Sequence, residues 1–210
     1  MNNNKITPDF NSISYYKQTQ HWWVAKNFDK LGLGKVSNVG SLMDFCYKKQ
    51  PTSLEDFWWK WIKLFSNQKR FLKLLNIIKQ ARPTTSEKDN INTLFIGLFY
   101  NTLLGYLAEI AVGKSFIEQG YKVYKSNKAF DKKYAIDFII ENSEGKKTGI
   151  QVKSENSRYN NSTQFVERNQ RKMMKFKEEY NINVIYAYYT HSYDSVNKTF
   201  KILNFTVEPM

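Results

Sequence analysis

Apolar residues recur every three or four positions in several stretches of the chain, and this spacing predicts helices. Residues 54–80 place aromatic and aliphatic side chains on one face and lysines on the other, with a break expected near Ser66–Asn67. Residues 91–119 predict a long helix that ends at Gly120, because glycine readily terminates a helix. Residues 162–180 predict an amphipathic helix that is rich in arginine and lysine.

Apolar and polar residues alternate in shorter segments, and this pattern predicts strands. The predicted strands cover residues 121–124, 135–140, 148–153, 183–189 and 199–206. Residues 142–145 form a turn sequence between the second and third strands, so these two are expected to pair as a hairpin. The resulting order, α-β-β-β-α-β-β, predicts an α/β fold with a mixed central sheet behind a helical N-terminal segment.

A polar stretch that contains Pro83, residues 81–89, separates two helical patterns and is the best candidate for a linker. We therefore expect a helical N-terminal segment over residues 1–90 and an α/β core over residues 91–210. The first segment is expected either to contact a polyanion or to pack on the core as a cap.

Basic residues exceed acidic ones by 32 to 19, which gives a formal net charge of +13. Residues 1–90 hold 15 basic and 7 acidic residues, and residues 91–210 hold 17 and 12, so the shorter segment carries more of the surplus. Such a surplus favours a polyanionic partner, either nucleic acid or an anionic membrane surface. The alternative is a solvated surface without a partner.

Sulfur and imidazole ligands are scarce, because the chain has one cysteine, Cys46, and two histidines, His21 and His191. Disulfide frameworks and zinc sites built from cysteine and histidine are thereby excluded. A metal would need oxygen ligands, as Mg²⁺ prefers. The first residues lack an apolar signal-peptide core, and the most apolar stretch, residues 94–117, is interrupted by charged residues. We therefore expect a cytoplasmic protein and no membrane span.

One acidic residue, Asp137, stands among apolar neighbours in a predicted strand. An unpaired buried carboxylate costs several kcal/mol, so a partner is expected. Gln151 and Lys153 lie two positions apart on the next predicted strand and therefore point to the same face. The hairpin would bring all three side chains together, and a carboxylate with an amide oxygen can hold a divalent cation.

A second acidic residue, Glu109, lies in the apolar helix predicted over residues 91–119. Gly105 and Gly113 fall four positions before and after it, on the same ridge. Small residues on both sides would leave room for a cation or a phosphate backbone. The alternative is a groove for helix packing in which Glu109 either extends its carboxylate to solvent or pairs with a lysine.

The predicted helix with Glu109, the strand with Ile136-Asp137, the hairpin, Gln151-Val152-Lys153 and the basic helix together resemble the PD-(D/E)xK nuclease superfamily, which has the restriction-endonuclease-like fold. The resemblance covers about residues 94–191. Residues 149–154, the basic helix and the tyrosine-rich strand after it also resemble MjaI-like type II restriction enzymes. Two positions depart from the family pattern: Ile136 replaces the proline, and Gln151 replaces an acidic residue, as in Mrr-like nucleases.

The resemblance implies Mg²⁺-assisted hydrolysis of DNA phosphodiesters, with Mn²⁺ as a substitute and products that carry a 5′-phosphate and a 3′-hydroxyl. Asp137 would be the central metal ligand, with Gln151, the carbonyl of Val152 and Glu109 as further ligands. Lys153 would orient or help to deprotonate the attacking water and offset charge in the transition state. The glutamine leaves one negative charge fewer on the metal.

Basic residues flank these positions on both sides and predict a groove for double-stranded DNA. Before Asp137 they are Lys125, Lys128, Lys132 and Lys133, and after Lys153 they are Arg158, Arg168, Arg171, Lys172 and Lys175. Residues 157–164 include Asn160, Asn161 and Gln164, side chains that can read bases. We expect a recognition loop there, with an ordinary polar turn as the alternative.

The function that the resemblance implies is that of a type II restriction endonuclease that acts on double-stranded DNA, and we expect a homodimer. One alternative is a structure-selective or modification-dependent nuclease, such as a junction-resolving or Mrr-like enzyme. Another is a nucleic-acid-binding protein that keeps the fold without catalysis, which the glutamine at position 151 favours.

Overall fold

The chain divides into two compact units in a computed structural model, which describes residues 7–27, 30–31, 33, 39–157 and 163–210. The first unit is Met1–Tyr106 with Tyr193–Phe200, and the second is Leu107–Ser192 with Lys201–Met210. The division differs from the boundary expected at residue 90, since it falls inside a helix and assigns a late segment of the chain to the first unit.

Helices make up most of the first unit. A 3₁₀ turn, Phe10–Ser12, precedes α1 (Ile13–Asn27), α2 (Val39–Lys49), α3 (Leu54–Ile62), α4 (Phe65–Ala81) and α5 (Glu87–Phe95); a π-helical turn, Ile96–Tyr100, then leads into α6 (Asn101–Glu118), which continues into the second unit. The predicted helix over residues 91–119 is therefore present with a π-helical turn near its start.

The predicted break near Ser66–Asn67 is displaced, because α3 ends at Ile62 and α4 begins at Phe65. Asn67 lies inside α4 and donates its side-chain amide to the carbonyl of Trp61 at 2.9 Å. The same carbonyl also accepts from the Leu64 N–H at 3.3 Å, so the end of α3 is closed by a main-chain bond and a side-chain bond together.

Aromatic rings form the core of the first unit. Trp58 is 1% exposed and packs edge-on against Phe71, Phe95 and Phe99 at centroid distances of 4.9, 5.8 and 5.4 Å. Trp61 is buried beside them. The side chains of these two tryptophans therefore pack in the core. Large aromatic side chains bury more apolar area than other residues and stabilise a core accordingly.

The segment expected as a linker, residues 81–89, is instead part of the first unit. Ala81 ends α4, and the Ser86 hydroxyl accepts a hydrogen bond from the Asp89 N–H at 3.1 Å to begin α5. The Asp89 carboxylate also accepts from the Tyr16 hydroxyl at 2.7 Å. A segment that is tied to α1 in this way cannot act as a free connection.

A five-stranded mixed sheet organises the second unit. Its elements are β1 (Lys122–Lys125), α7 (Lys128–Tyr134), β2 (Phe138–Glu141), β3 (Lys147–Ser154), α8 (Thr163–Tyr180), β4 (Asn183–Asp194) and β5 (Thr199–Pro209), of which β4 and β5 extend into the first unit. The strand order is β1-β2-β3-β4-β5. The β1/β2 and β2/β3 pairs are antiparallel, and β3 and β4 are parallel. The mixed α/β architecture is thereby confirmed.

The segment between β1 and β2 departs from the predicted order, because it contains α7. The Asn127 side chain caps this helix by accepting from the Phe130 N–H at 2.9 Å. Ala135 ends it in a left-handed conformation, with φ of 56°. The strand predicted over residues 135–140 consequently begins only at Phe138, and Asp137 lies just before it.

Helices cover both faces of the sheet. On one face Gly113 of α6 approaches Val123 of β1, where a Cβ on the glycine would lie 3.9 Å from the valine side chain. On the other face α7 and α8 bury Tyr134, Met173 and Phe176 in one cluster. The end of β2 and β3 where Asp137 lies is therefore accessible to side chains from both helical layers.

The apolar stretch Glu87–Glu118 is, within the part of the chain that is described, long and apolar enough to cross a membrane. However, 61% of its most apolar window is buried inside the protein, as in the core helix of a soluble protein.

Substitution of Gly149 in β3 tests how α8 packs on the sheet. A Cβ there would lie 3.0 Å from Phe176 and 3.2 Å from Ile136, so Gly149→Ala is expected to cost about 1–3 kcal/mol of unfolding free energy. Gly113→Ala is the matched control, since its Cβ meets ordinary contact and alanine favours helix. Urea unfolding monitored by circular dichroism measures both. Equal stability of the two variants would contradict this packing.

Candidate functional site

Asp137 occupies the end of the β2/β3 ladder and is 7% exposed. Its backbone N–H donates to the carbonyl of Ile150 at 2.8 Å, and its carbonyl accepts from the N–H of Ser126 at 3.0 Å. The residue is therefore held by main-chain bonds on both sides, although it precedes the strand itself.

The Asp137 side chain extends the ladder by one step. Its Oδ2 atom accepts a hydrogen bond from the Val152 N–H at 2.7 Å and another from the Gln151 side-chain amide at 2.5 Å. Both bonds reach the same carboxylate oxygen, so the sheet fixes Oδ2 in place.

The charge of Asp137 is disfavoured by its surroundings. Burial of the carboxyl, together with the negative charges of Glu109 and Asp131, raises the pKa of Asp137 to about 7. Lys153 and the Val152 N–H act in the opposite direction and lower this pKa. A cation near the carboxyl would favour the ionised form that metal binding requires.

Gln151 and Lys153 share one face of β3, as their spacing predicts. In the parallel pairing they lie beside Tyr186 and Tyr188 of β4, whose rings stack at a centroid distance of 5.3 Å. Gln151 is 4% exposed, and Lys153 is half-buried. Of the three predicted site residues, Gln151 is bonded to Asp137, and Lys153 lies two positions further along the same face of β3.

The predicted site residue Glu109 enters from α6. Its side chain is 11% exposed and forms an ion pair with Lys125 of β1. This pairing follows from the way α6 packs on β1, where Gly113 approaches Val123. Four residues of a helix and two residues of a strand span similar distances. Glu109, four residues before Gly113, therefore lies beside Lys125, two residues after Val123. The structure thus has the lysine pairing that was the alternative for Glu109, and Lys125, expected to contact DNA, faces this carboxylate.

A third acidic residue, Asp131, belongs to the same electrostatic cluster and was missed in the sequence. Loss of solvent around its carboxyl and the negative charge of Glu109 raise the pKa of Asp131. Lys125, Lys153 and Lys172 lower it. The signal that could have found it is the cap Asn127 followed by Phe130 and Tyr134 at helical spacing, which together define α7.

The oxygen atoms present suit a hard cation such as Mg²⁺. Asp137 Oδ1, the carbonyl of Val152 and the carboxylate of Glu109 are the donors that would hold it, and Gln151 would contribute its oxygen if the amide turned over. Gln151 instead presents its nitrogen to Asp137 in this state. Among the residues that the structure describes, no three His, Cys, Asp or Glu side chains lie close enough together to hold a metal ion.

Basic residues predicted to flank the site lie on two adjacent helices of the second unit. Lys128, Lys132 and Lys133 lie on α7, and Arg168, Arg171, Lys172 and Lys175 lie on α8. Lys172 joins the helices by donating to the carbonyl of Lys132 at 2.8 Å. Glu179 pairs with Lys133 and Lys175 at 3.1 and 3.5 Å. Exposed ion pairs are weak, so these lysines could exchange Glu179 for phosphate.

Most of the predicted recognition loop lies outside the described residues. Arg158, Asn160 and Asn161 lie outside the described residues, and Gln164 is described only as part of the α8 backbone.

Comparisons of the chain with protein-family models, curated proteins and solved structures find no match.

The raised pKa of Asp137 predicts how stability depends on pH without metal. Between about pH 4 and 7 the unfolded carboxyl ionises while the folded one stays protonated, so the unfolding free energy falls as pH rises. Asp137→Asn keeps an oxygen for the Val152 N–H but has no carboxyl to titrate. Its unfolding free energy should therefore fall less than that of the wild type as pH rises, by a difference of more than about 1 kcal/mol. Urea unfolding in a chelator at pH 5 and pH 8 measures the difference.

The exposed turn variant Glu144→Gln is the control for this comparison and should follow the wild type at both pH values. If Asp137→Asn lost as much stability as the wild type between pH 5 and pH 8, the buried carboxyl would not be the titrating group.

Proposed function

We propose that this protein is a type II restriction endonuclease of the PD-(D/E)xK superfamily, which hydrolyses double-stranded DNA with Mg²⁺ and acts as a cytoplasmic homodimer. The observation that carries the proposal is the buried Asp137 carboxylate, bonded to Gln151 and close to Lys153 at the end of β2 and β3. The strand order and the helix before the sheet support the restriction-endonuclease-like fold.

Asp137 would hold the cation through Oδ1 while Val152 keeps Oδ2 in place. When bound, Mg²⁺ supplies a Lewis acid that lowers the pKa of water and offsets charge on the phosphate. Glu109 could join after leaving Lys125, whose ammonium group could then bind a phosphate oxygen of the DNA.

Lys153 is the group best placed to act on the nucleophile. It lies on the same face of β3 as Gln151, whose side-chain amide binds the Asp137 carboxylate, and its positive charge lowers the pKa of Asp137. In that position it can orient a water molecule towards the phosphate and stabilise the negative charge that develops during attack.

A second candidate function is binding of nucleic acid without cleavage. Two observations favour it: the Gln151 amide nitrogen faces Asp137, and Glu109 is paired with Lys125. Both arrangements satisfy the acidic groups internally, so that no cation is required.

Substitution at the site distinguishes the two candidates. With supercoiled plasmid and Mg²⁺, the wild type is expected to give discrete fragments. Asp137→Ala and Lys153→Ala should each reduce cleavage at least about a hundredfold, the usual scale for loss of one such group. Both should still bind a DNA duplex in Ca²⁺, since the basic faces of α7 and α8 are unchanged. Gel electrophoresis and fluorescence anisotropy measure the two properties.

The exposed variants Glu144→Ala and Lys201→Ala should cleave like the wild type. Full cleavage by Asp137→Ala would refute the site. Salt-sensitive binding by the wild type without cleavage in Mg²⁺ or Mn²⁺ would favour the second candidate. Cleavage restricted to branched or methylated DNA would instead indicate a structure-selective or modification-dependent nuclease.

Gln151→Glu would restore the acidic residue that the family pattern has at this position. We expect roughly tenfold tighter Mn²⁺ binding, because a second carboxylate would face the cation. The same change should destabilise the metal-free protein, since two buried carboxylates would adjoin. Calorimetry and urea unfolding measure these effects, and the exposed Gln119→Glu is the control. Unchanged Mn²⁺ affinity would show that position 151 does not face the metal.

A further inference from the structure

The positive charge of the first unit is concentrated in one segment that the proposed catalytic site does not use. Residues 57–86 contain seven lysines and arginines and no aspartate or glutamate. The segment includes the part of α3 from residue 57 onward and the whole of α4, and α4 carries four of the seven basic residues.

Helix α4 separates its two faces sharply. Phe71, Leu74, Leu75 and Ile78 are at most 2% exposed and pack in the core of the first unit. The opposite face carries a polar stripe of exposed residues, namely Ser66, Lys69, Lys73, Asn76 and Gln80. Spacings of three and four residues keep the stripe on one side of the helix over about 21 Å.

The chemistry of this polar stripe matches a nucleic acid better than a lipid surface. It contains no acidic residue and no apolar residue, whereas helices that bind membranes insert apolar side chains beside their basic ones. Lysines supply phosphate contacts, and asparagine and glutamine can hydrogen-bond to base edges. A single α-helix also fits the major groove of B-DNA, which is about 12 Å wide.

We propose that the polar stripe of α4 is a second DNA-binding surface, in which Lys69 and Lys73 contact backbone phosphates and Asn76 and Gln80 face the groove. The choice of DNA as the polyanion rests on the proposed function. The polar stripe belongs to the first unit, whereas Asp137 and the basic residues of α7 and α8 belong to the second, and the stripe carries two of the seven positive charges of residues 57–86.

The test measures binding of a 30-base-pair duplex in Ca²⁺ over a series of salt concentrations. Lys69→Gln/Lys73→Gln should weaken binding about tenfold near 0.1 M salt. It should also lower the slope of log K against log salt by about 1.8, because each phosphate contact contributes about 0.9. Lys48→Gln/Lys49→Gln, on exposed residues at the end of α2, removes the same charge and should leave the slope unchanged. Circular dichroism confirms the fold of both variants.

The outcomes separate this inference from the proposed function. If the wild type binds DNA without cleaving it, the nuclease proposal fails, yet a reduced slope for the Lys69/Lys73 variant still supports the polar stripe. Equal slopes for this variant and its control would overturn the inference, whether or not the protein cleaves DNA. Binding to phosphatidylserine vesicles but not to DNA, lost in the same variant, would overturn it in favour of a membrane surface.

Discussion

The second unit depends on how a carboxylate is accommodated at the end of a β-ladder. Asp137 donates its N–H to the carbonyl of Ile150 and accepts the N–H of Val152 on its side chain. Main chain and side chain together therefore continue the pairing of β2 and β3 beyond the strand. Burying a carboxylate here costs free energy, and leaving the Val152 N–H without an acceptor would also cost free energy.

The other charged groups are arranged around this carboxylate by three different layers. β3 supplies Lys153 from within the sheet, α6 supplies Glu109 from one face, and α7 supplies Asp131. Their charges oppose one another, since two carboxylates raise the pKa of Asp137 and one ammonium group lowers it. Such opposition is typical of functional sites, although structural ion-pair networks also produce it.

Local patterns predicted the strands well because their physics is local. Alternation of apolar and polar residues decided which side chains of β3 share a face, and the turn at residues 142–145 decided that β2 and β3 pair. By contrast, α7 escaped prediction because its seven residues are short for a helix, and its only helical signals are the Asn127 cap and the spacing of Phe130 and Tyr134. With that helix missing, Ala135 was read as part of a strand and Asp131 was overlooked.

The sequence by itself determined the mixed α/β class, the meeting of Asp137 with Gln151, and the scarcity of sulfur and imidazole ligands for a metal. Only the tertiary structure decided that Glu109 pairs with Lys125, that Gln151 offers its nitrogen to Asp137, and that the chain divides within α6. The reason is that strand periodicity and hairpin turns act over a few residues. Partner choice for a charged side chain depends instead on how a helix lies against a sheet, which no local pattern encodes.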